Sequence, residues 1–182
     1  MHRLPAVLLT LVAISGLGTV PAAADDRMTC ERGSGDTAIA ACGRAIESGQ
    51  FTGLELAKLH NNRGVELKRK GDMDGAIKDY DIVITLNPND LFAFNNRANA
   101  WRDKGDLPRA IADYGAAIAL DGDYAAAFIN RGLVHERMKA FDLARADFQA
   151  ALAAPPDKYN NSRGAHQMAR QRLAELAKLA PQ

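Results

Sequence analysis

The sequence of 182 residues predicts an all-α protein built from repeated units, and two observations carry this prediction. The stretch NNRG at 61–64 returns as NNRA at 95–98 and as INRG at 129–132, each copy starting 34 residues after the last. A fixed period of this length is typical of repeats that each supply one supersecondary unit and stack on their neighbours. Aromatic residues make up only 6% of the chain, while Ala, Leu and Ile are plentiful, which favours closely packed helices.

Three kinds of position recur in each period. A small residue is followed by an alanine and then by a bulky aromatic residue, and the sets are Gly64, Ala98 and Gly132; Ala76, Ala110 and Ala144; and Tyr80, Tyr114 and Phe148. This pattern resembles the tetratricopeptide repeat. The resemblance implies antiparallel helix pairs in a right-handed α-solenoid over 55–158, with repeats at about 57–90, 91–124 and 125–158. Small residues let paired helices approach to about 8–10 Å, and the aromatic ring fills the gap to the next pair.

Helix ends are marked by glycine and proline. Gly71 and Gly105 stand where the first helix of a repeat ends and the chain reverses, a position that favours positive φ. Pro88 follows the second helix of the first repeat and prevents its continuation. Lys139 occupies the glycine position in the third repeat, and Gly122 replaces the proline after the second. We expect both variants to keep the period.

The N-terminal residues resemble a secretory signal peptide. Met1-His2-Arg3 precedes an apolar run from Leu4 to Val20, and Ala22 and Ala24 form the small-residue pair that a signal peptidase accepts. We therefore expect residues 1–24 to be removed and the mature chain to be exported to the periplasm or the medium. An uncleaved N-terminal anchor is the alternative, because the apolar run is only slightly shorter than the roughly 20 residues of a membrane span.

Residues 25–54 are predicted to shield the first end of the array, because a repeat cannot bury its apolar face alone. The stretch DTAIAACGRAIE at 36–47 resembles the second helix of a repeat, so we expect half a repeat preceded by an irregular segment at 25–35. In an exported chain, Cys30 and Cys42 favour a disulfide that holds this segment on the capping helix. In the alternative, Cys42 is a small buried residue at an aromatic position.

Residues 159–182 are predicted to form the C-terminal capping helix. They repeat the Asn-x-Arg-Gly opening and continue as an amphipathic pattern, with four apolar residues expected to face inward: Met168, Leu173, Leu176 and Leu179.

The repeated asparagines are the first candidate site. The resemblance places the first helices of successive repeats along a concave surface, where Asn62, Asn96 and Asn130 would form a row. An Asn side chain offers one acceptor and two donors, enough to hold a peptide group of an extended chain. Similar asparagine rows hold extended peptides in other proteins of this superfamily. Hydrogen bonds to their own helices or to water are the alternative.

Hydrogen bonds from the three asparagines alone are too weak for micromolar binding, so further contacts are needed. Three neutral hydrogen bonds contribute about 3 kcal/mol at roughly 1 kcal/mol each, whereas micromolar affinity needs about 8 kcal/mol. We expect the remainder from neighbouring side chains on the same surface, namely Asn61, Asn95, Asn99, Lys58, Lys68, Arg69, Phe92, Arg102, Ile129 and Leu133.

A second periodic set has opposite charges. Each of three arginines is followed 16 residues later by an aspartate, and the pairs are Arg63 with Asp79, Arg97 with Asp113, and Arg131 with Asp147. Antiparallel helices would bring each pair together within a repeat or across to the next one, as a structural ladder. Independent solvated charges are the alternative.

Other functional classes find little support in the sequence. Removing Arg3 with the signal leaves equal numbers of acidic and basic residues, so nothing indicates a nucleic-acid or anionic-membrane surface. His60, His135 and His166 lack metal-ligand spacing, and we expect His60 and His135 to pack in the repeat core. No catalytic constellation or cofactor motif is recognisable, so neither an enzyme nor a cofactor or metal is predicted.

The resemblance also narrows the class of partner. Some family members clamp acidic C-terminal tails with Lys, Asn and Arg on successive first helices. Only Asn96 fits that pattern, and the other clamp positions hold Asn61, Val65, Ala126 and Asn130. We therefore predict an exported scaffold or adaptor that binds another protein or an extended peptide in its groove. In the alternative, the chain is a homo-oligomer whose groove accepts a neighbouring copy's terminus, such as residues 25–35.

Overall fold

The computed structural model describes residues 22–156, 158, 159 and 162–178. Within these residues the chain is all-α and contains nine helices and no strand. They are α1 (Ala22–Arg32), α2 (Gly35–Glu47), α3 (Gly53–Lys70), α4 (Met73–Leu86), α5 (Leu91–Lys104), α6 (Leu107–Leu120), α7 (Ala125–Arg137), α8 (Phe141–Ala153) and α9 (Ser162–Lys178).

The helices form four consecutive hairpins followed by a single closing helix. Each helix packs on the next one in sequence, and the first helices of neighbouring hairpins also touch, so that α1, α3, α5, α7 and α9 line one surface. The predicted all-α solenoid of helix pairs is confirmed.

Close approach inside each hairpin depends on the predicted small residues. Tyr80, Tyr114 and Phe148 are fully buried. A Cβ atom added to Gly64 would lie 2.9 Å from the Tyr80 ring, and one added to Gly132 would lie 2.6 Å from the Phe148 ring. The aromatic rings therefore occupy the space that a side chain at these positions would need.

The helix ends follow the sequence signals. Gly71 and Gly105 end α3 and α5 with φ values of 93° and 88°. Lys139 adopts a φ of 59° at the equivalent place, so the third turn keeps the same backbone shape without a glycine. Asp72 and Asp106 cap α4 and α6 by accepting hydrogen bonds from backbone N–H groups of the first turn.

The N-terminal flank requires a correction. The segment 25–35 is not irregular, because residues through Arg32 belong to α1 and pair with α2 as a helix hairpin. Gly33 allows the sharp connection, since a Cβ there would lie 2.5 Å from the carbonyl oxygen of Thr29. Short polar segments adopt a helix when a neighbouring element covers one face, and the local sequence does not reveal that neighbour.

A disulfide and an ion pair hold α1 in place. Cys30 and Cys42 are buried and bonded to each other, and Arg44 donates from Nε and Nη2 to the Asp26 carboxylate. Ala23 is the only other buried residue of α1. The disulfide therefore joins a helix with little apolar surface to the rest of the solenoid.

The predictions for the signal peptide and for the C-terminal helix fall partly outside the described residues. The predicted signal peptide lies outside them except for Ala22–Ala24, which begin α1. Leu176 is buried and Leu173 packs on the core, but Met168 is 41% exposed, which corrects the expectation that it faces inward. Leu179 lies outside the described residues. No described helix has the length and apolar character needed to cross a membrane.

Candidate functional site

The asparagines on the first helices pair across neighbouring repeats. Asn96 on α5 donates to Asn61 on α3 at 3.4 Å, and Asn130 on α7 donates to Asn95 on α5 at 3.0 Å. The bonds therefore join adjacent repeats instead of closing within one helix. Asn62 has the position equivalent to Asn96 in the first repeat and lines a small cavity between α1 and α3.

Asn99 is oriented by a residue of the neighbouring helix. The Tyr114 hydroxyl donates to its side-chain oxygen at 2.7 Å. In the first repeat, Val65 occupies the position of Asn99, and the buried hydroxyl of Tyr80 has no hydrogen-bond partner among the described residues. Burial raises the pKa of both hydroxyls, so Tyr80 and Tyr114 stay neutral at physiological pH.

A cavity of about 400 Å³ lies between α5, α7 and α9. Its lining consists of three asparagines and six small or apolar residues, namely Asn95, Asn99, Asn130, Ala126, Ile129, Leu133, Gly164, Ala165 and Met168. None of these residues carries a charge. The exposed Met168 faces this cavity, so the closing helix contributes to the surface as well as covering the end of the array.

A second cavity of about 370 Å³ lies between α3 and α5. Leu54 and the half-exposed Phe92 supply its apolar walls, and Lys58 and Asp90 stand at its border with opposite charges. The Phe92 ring packs edge-on against Tyr124, at 5.5 Å between ring centroids, and is held in place by this contact.

The candidate basic residues differ in their availability. Arg69 is paired with the buried Glu66, and Arg102 is paired with Asp103 on its own helix. Glu66 also accepts a hydrogen bond from the first backbone N–H of α2, so it ties α3 to the N-terminal hairpin. Lys58 and Lys68 make no ion pair among the described residues. Lys58 therefore remains the candidate cation within a cavity of this surface.

The arginine and aspartate set lies inside the repeats. Each arginine donates from Nε and Nη2 to the aspartate that follows 16 residues later, and the shortest N–O distance is 2.7 Å in all three pairs: Arg63 with Asp79, Arg97 with Asp113, and Arg131 with Asp147. Only Arg97 also reaches the preceding repeat, where it donates to Asp81 at 2.6 Å. The pairs form mainly within repeats.

Two histidines join these pairs from different helical positions. His60 Nδ1 lies 2.8 Å from Asp79, and His135 Nδ1 lies 2.9 Å from Asp147. Both rings are buried, as residues packed in the core would be, but their hydrogen bonds to the aspartates were not foreseen. The burial of Asp79 opposes its ionisation, yet hydrogen bonds from Arg63 and His60 outweigh burial and lower the pKa of the carboxyl group.

The described part of the chain has no group of three His, Cys, Asp or Glu side chains able to hold a metal ion. The histidines are instead dispersed over α3, α7 and α9.

Comparisons with known proteins agree with this architecture. Residues 57–90 match the family model described as tetratricopeptide repeat, and residues 98–139 match the one described as TPR repeat. Comparison with curated protein sequences gives no significant match.

Solved structures of the same architecture resemble the chain. The TPR2B domain of yeast Sti1 in complex with pHsp70 is 26% identical with a TM-score of 0.62, and the similarity covers 68% of this chain and 98% of that one. The second TPR domain of human RPAP3, in complex with the HSP70 peptide SGPTIEEVD, is 25% identical with a TM-score of 0.56, covering 65% and 92%.

A bacterial structure extends the similarity over more of the chain. A tetratricopeptide repeat protein from Parabacteroides merdae has a TM-score of 0.65 at 19% identity, covering 85% of this chain and 59% of that one. The helix hairpins, the periodic small and aromatic residues and these matches lead to one conclusion: the chain contains tetratricopeptide repeats, matched by family models over residues 57–90 and 98–139.

Proposed function

We propose that the protein is a non-enzymatic scaffold that binds an extended segment of another protein along the surface formed by α3, α5, α7 and α9. The observation that carries this proposal is the row of cross-repeat amide pairs. Each Asn–Asn bond uses one donor and one acceptor, which leaves further amide groups on the same surface for a bound chain. The two cavities that these asparagines help to line offer apolar contact.

The solved relatives support the general role. The TPR2B domain of yeast Sti1 is in complex with pHsp70, and the second TPR domain of human RPAP3 is in complex with the HSP70 peptide SGPTIEEVD. In this chain only Asn96 matches the acidic-tail clamp. The other clamp positions hold Asn61, Val65, Ala126 and Asn130, which do not fit its pattern. An acidic chaperone tail is therefore not the partner that we propose.

The setting of this role is the cell envelope or the medium. The N-terminal signal pattern and the disulfide between Cys30 and Cys42 support export, since disulfides persist in oxidising compartments. An adaptor or assembly factor is the kind of protein that combines such a location with a repeat surface. Residues 25–35, the segment named for a homo-oligomeric alternative, are mostly helical and are held by the disulfide, so we do not propose them as an extended occupant.

Site-specific photocrosslinking tests the proposal. A photoreactive residue is introduced at Leu133 on the groove surface or, as the control, at the exposed Ile82 on the second-helix side of the array. We expect a discrete adduct from the exported fraction with the Leu133 probe, and we expect it to be lost when Asn96 and Asn130 are both changed to Ala. Equal adducts from both probe positions would refute a groove-specific role.

A further inference from the structure

We infer that the cavity between α5, α7 and α9 receives an uncharged segment of the partner, with one peptide group held by asparagines and one apolar side chain placed beside Leu133 and Met168. This inference rests on the proposed function and specifies the chemistry of the partner. It also assigns a binding role to α9, which the sequence indicates only as a cap.

The free hydrogen-bonding groups match a peptide group. The Asn99 oxygen accepts from Tyr114 and the Asn95 oxygen accepts from Asn130, so the amino groups of Asn99 and Asn95 remain able to donate. The oxygen of Asn130 receives no hydrogen bond among the described residues and remains an acceptor. A peptide group offers one acceptor and one donor, which these amides can satisfy together.

The absence of charge in the lining excludes an ionised side chain as the preferred occupant. A carboxylate or ammonium group placed between Leu133, Met168 and the asparagines would lose hydration without meeting a counter-ion from the lining. The cavity between α3 and α5 differs, because Lys58 and Asp90 border it. Selectivity against charge therefore belongs to the cavity at α9.

The closing helix keeps this cavity open. A Cβ atom added to Gly164 would meet no atom within 4 Å, and Ala165 is the next residue of the lining. Met168 is 41% exposed at the same surface, and its unbranched, polarisable side chain adapts to apolar groups of different shape. A longer side chain at position 164 would therefore extend from the lining of the cavity without a clash at its Cβ atom.

Peptide titration monitored by NMR tests the inference on isotope-labelled protein, purified as the cell processes it. The probes are acetyl-Gln-Ala-Leu-Ala-Gln-amide and the same peptide with Glu in place of Leu. We expect the Leu peptide to shift the side-chain amide signals of Asn95, Asn99 and Asn130 and to bind at least about tenfold more tightly than the Glu peptide. Equal or tighter binding of the Glu peptide would overturn the inference.

A blocking variant separates the cavity from the rest of the groove. Gly164→Leu should weaken binding of the Leu peptide by at least about tenfold while the protein stays folded. The control is Ala177→Leu, which places the same leucine side chain, with one carbon fewer added, at an exposed position on about the opposite side of α9. Unchanged affinity in the Gly164→Leu variant would contradict occupation of this cavity, and circular dichroism of both variants shows whether the fold is kept.

The two proposals fail in different ways. If the Glu peptide binds better at the same amides, or if Gly164→Leu has no effect while Leu133 still crosslinks, the groove binds a partner but the inference about its chemistry is wrong. If neither peptide shifts a groove signal at millimolar concentration and crosslinks arise equally from Ile82, both the inference and the proposed function are wrong.

Discussion

The arginine–aspartate row and the asparagine row follow the same 34-residue period, but they differ in how many of their hydrogen-bonding groups have partners within the protein. The row inside the repeats pairs each aspartate with the Nε and Nη2 atoms of an arginine, and Asp79 and Asp147 also bond a histidine. The row on the groove surface uses only part of each asparagine. Both rows are equally regular in sequence, so periodicity alone does not distinguish a structural row from a binding row.

The difference shows what burial and unused hydrogen-bonding groups contribute. Asp79 is 2% exposed and would cost free energy if it lost its partners, which is typical of a structural role. Asn96 and Asn130 are half-buried and keep free amide groups, as residues that meet a partner would. The following predictions test this contrast, from the largest expected effect to the smallest.

Asp79→Asn should destabilise the protein most, by about 3 kcal/mol, because it leaves the partly buried Arg63 and the buried His60 without an anionic partner. Urea unfolding followed by circular dichroism measures the free energy of unfolding. Asp142→Asn is the control, since that carboxylate is 97% exposed and its ion pair is with Arg145 on the same helix. We expect it to change stability by less than about 0.5 kcal/mol, and equal losses in the two variants would show that the inner row is not structural.

The same variant predicts a change in acid stability. The pKa of Asp79 is lower in the folded chain than the roughly 3.9 of an unfolded Asp. Its stabilising contribution is therefore complete above that unfolded value and is lost as the pH falls towards the folded pKa. As the pH falls below about 3.9, Asp79→Asn should therefore lose less stability than the parent protein. Parallel pH curves for the two proteins would contradict this assignment.

Tyr114→Phe should lower the free energy of unfolding by an intermediate amount, whereas Tyr80→Phe should not lower it. Removing the Tyr114 hydroxyl breaks its hydrogen bond to Asn99 and should cost about 1 kcal/mol. Removing the buried and unpaired Tyr80 hydroxyl should be neutral or slightly stabilising, because no hydrogen bond is lost. Thermal and urea unfolding of the two matched variants decide the question, and a larger loss in Tyr80→Phe would reverse our assignment of the two hydroxyls.

Asn96→Ala should destabilise less than Tyr114→Phe, by less than about 0.5 kcal/mol, because its bond to Asn61 is long and the side chain is half-buried. The same substitution should reduce crosslinking at the groove. A loss of stability as large as that of Tyr114→Phe would move the asparagine row to the structural class.

Most of the repeat core was predictable because it follows local and periodic rules. The small positions Gly64 and Gly132 and the turn at Gly71 depend on backbone geometry that one period of sequence displays. The arginine and aspartate spacing also predicted contact, since two antiparallel helices bring residues 16 apart into register. The turn at Lys139 was predictable from its position in the 34-residue period, although lysine itself does not favour the positive φ that it adopts there.

The flanks and the groove were less predictable because their contacts join distant parts of the chain. Helix α1 has few apolar residues, and its conformation depends on α2 and α3. The pairing of Asn130 with Asn95 depends on how far one repeat is rotated against the next. Helical periodicity assigned Met168 to the core because it shows which residues share the apolar face of α9. It does not show that part of this face borders a cavity between α5 and α7.

The sequence by itself determined the repeat, the identity of its packing residues and the periodic rows of charge and amide, because these depend on spacing along one helix or one hairpin. Only the tertiary structure decided which amide groups remain free, which cavity lacks charge and that α9 lines it. Those properties arise where three helices from different repeats meet, and their geometry is set by packing across the array.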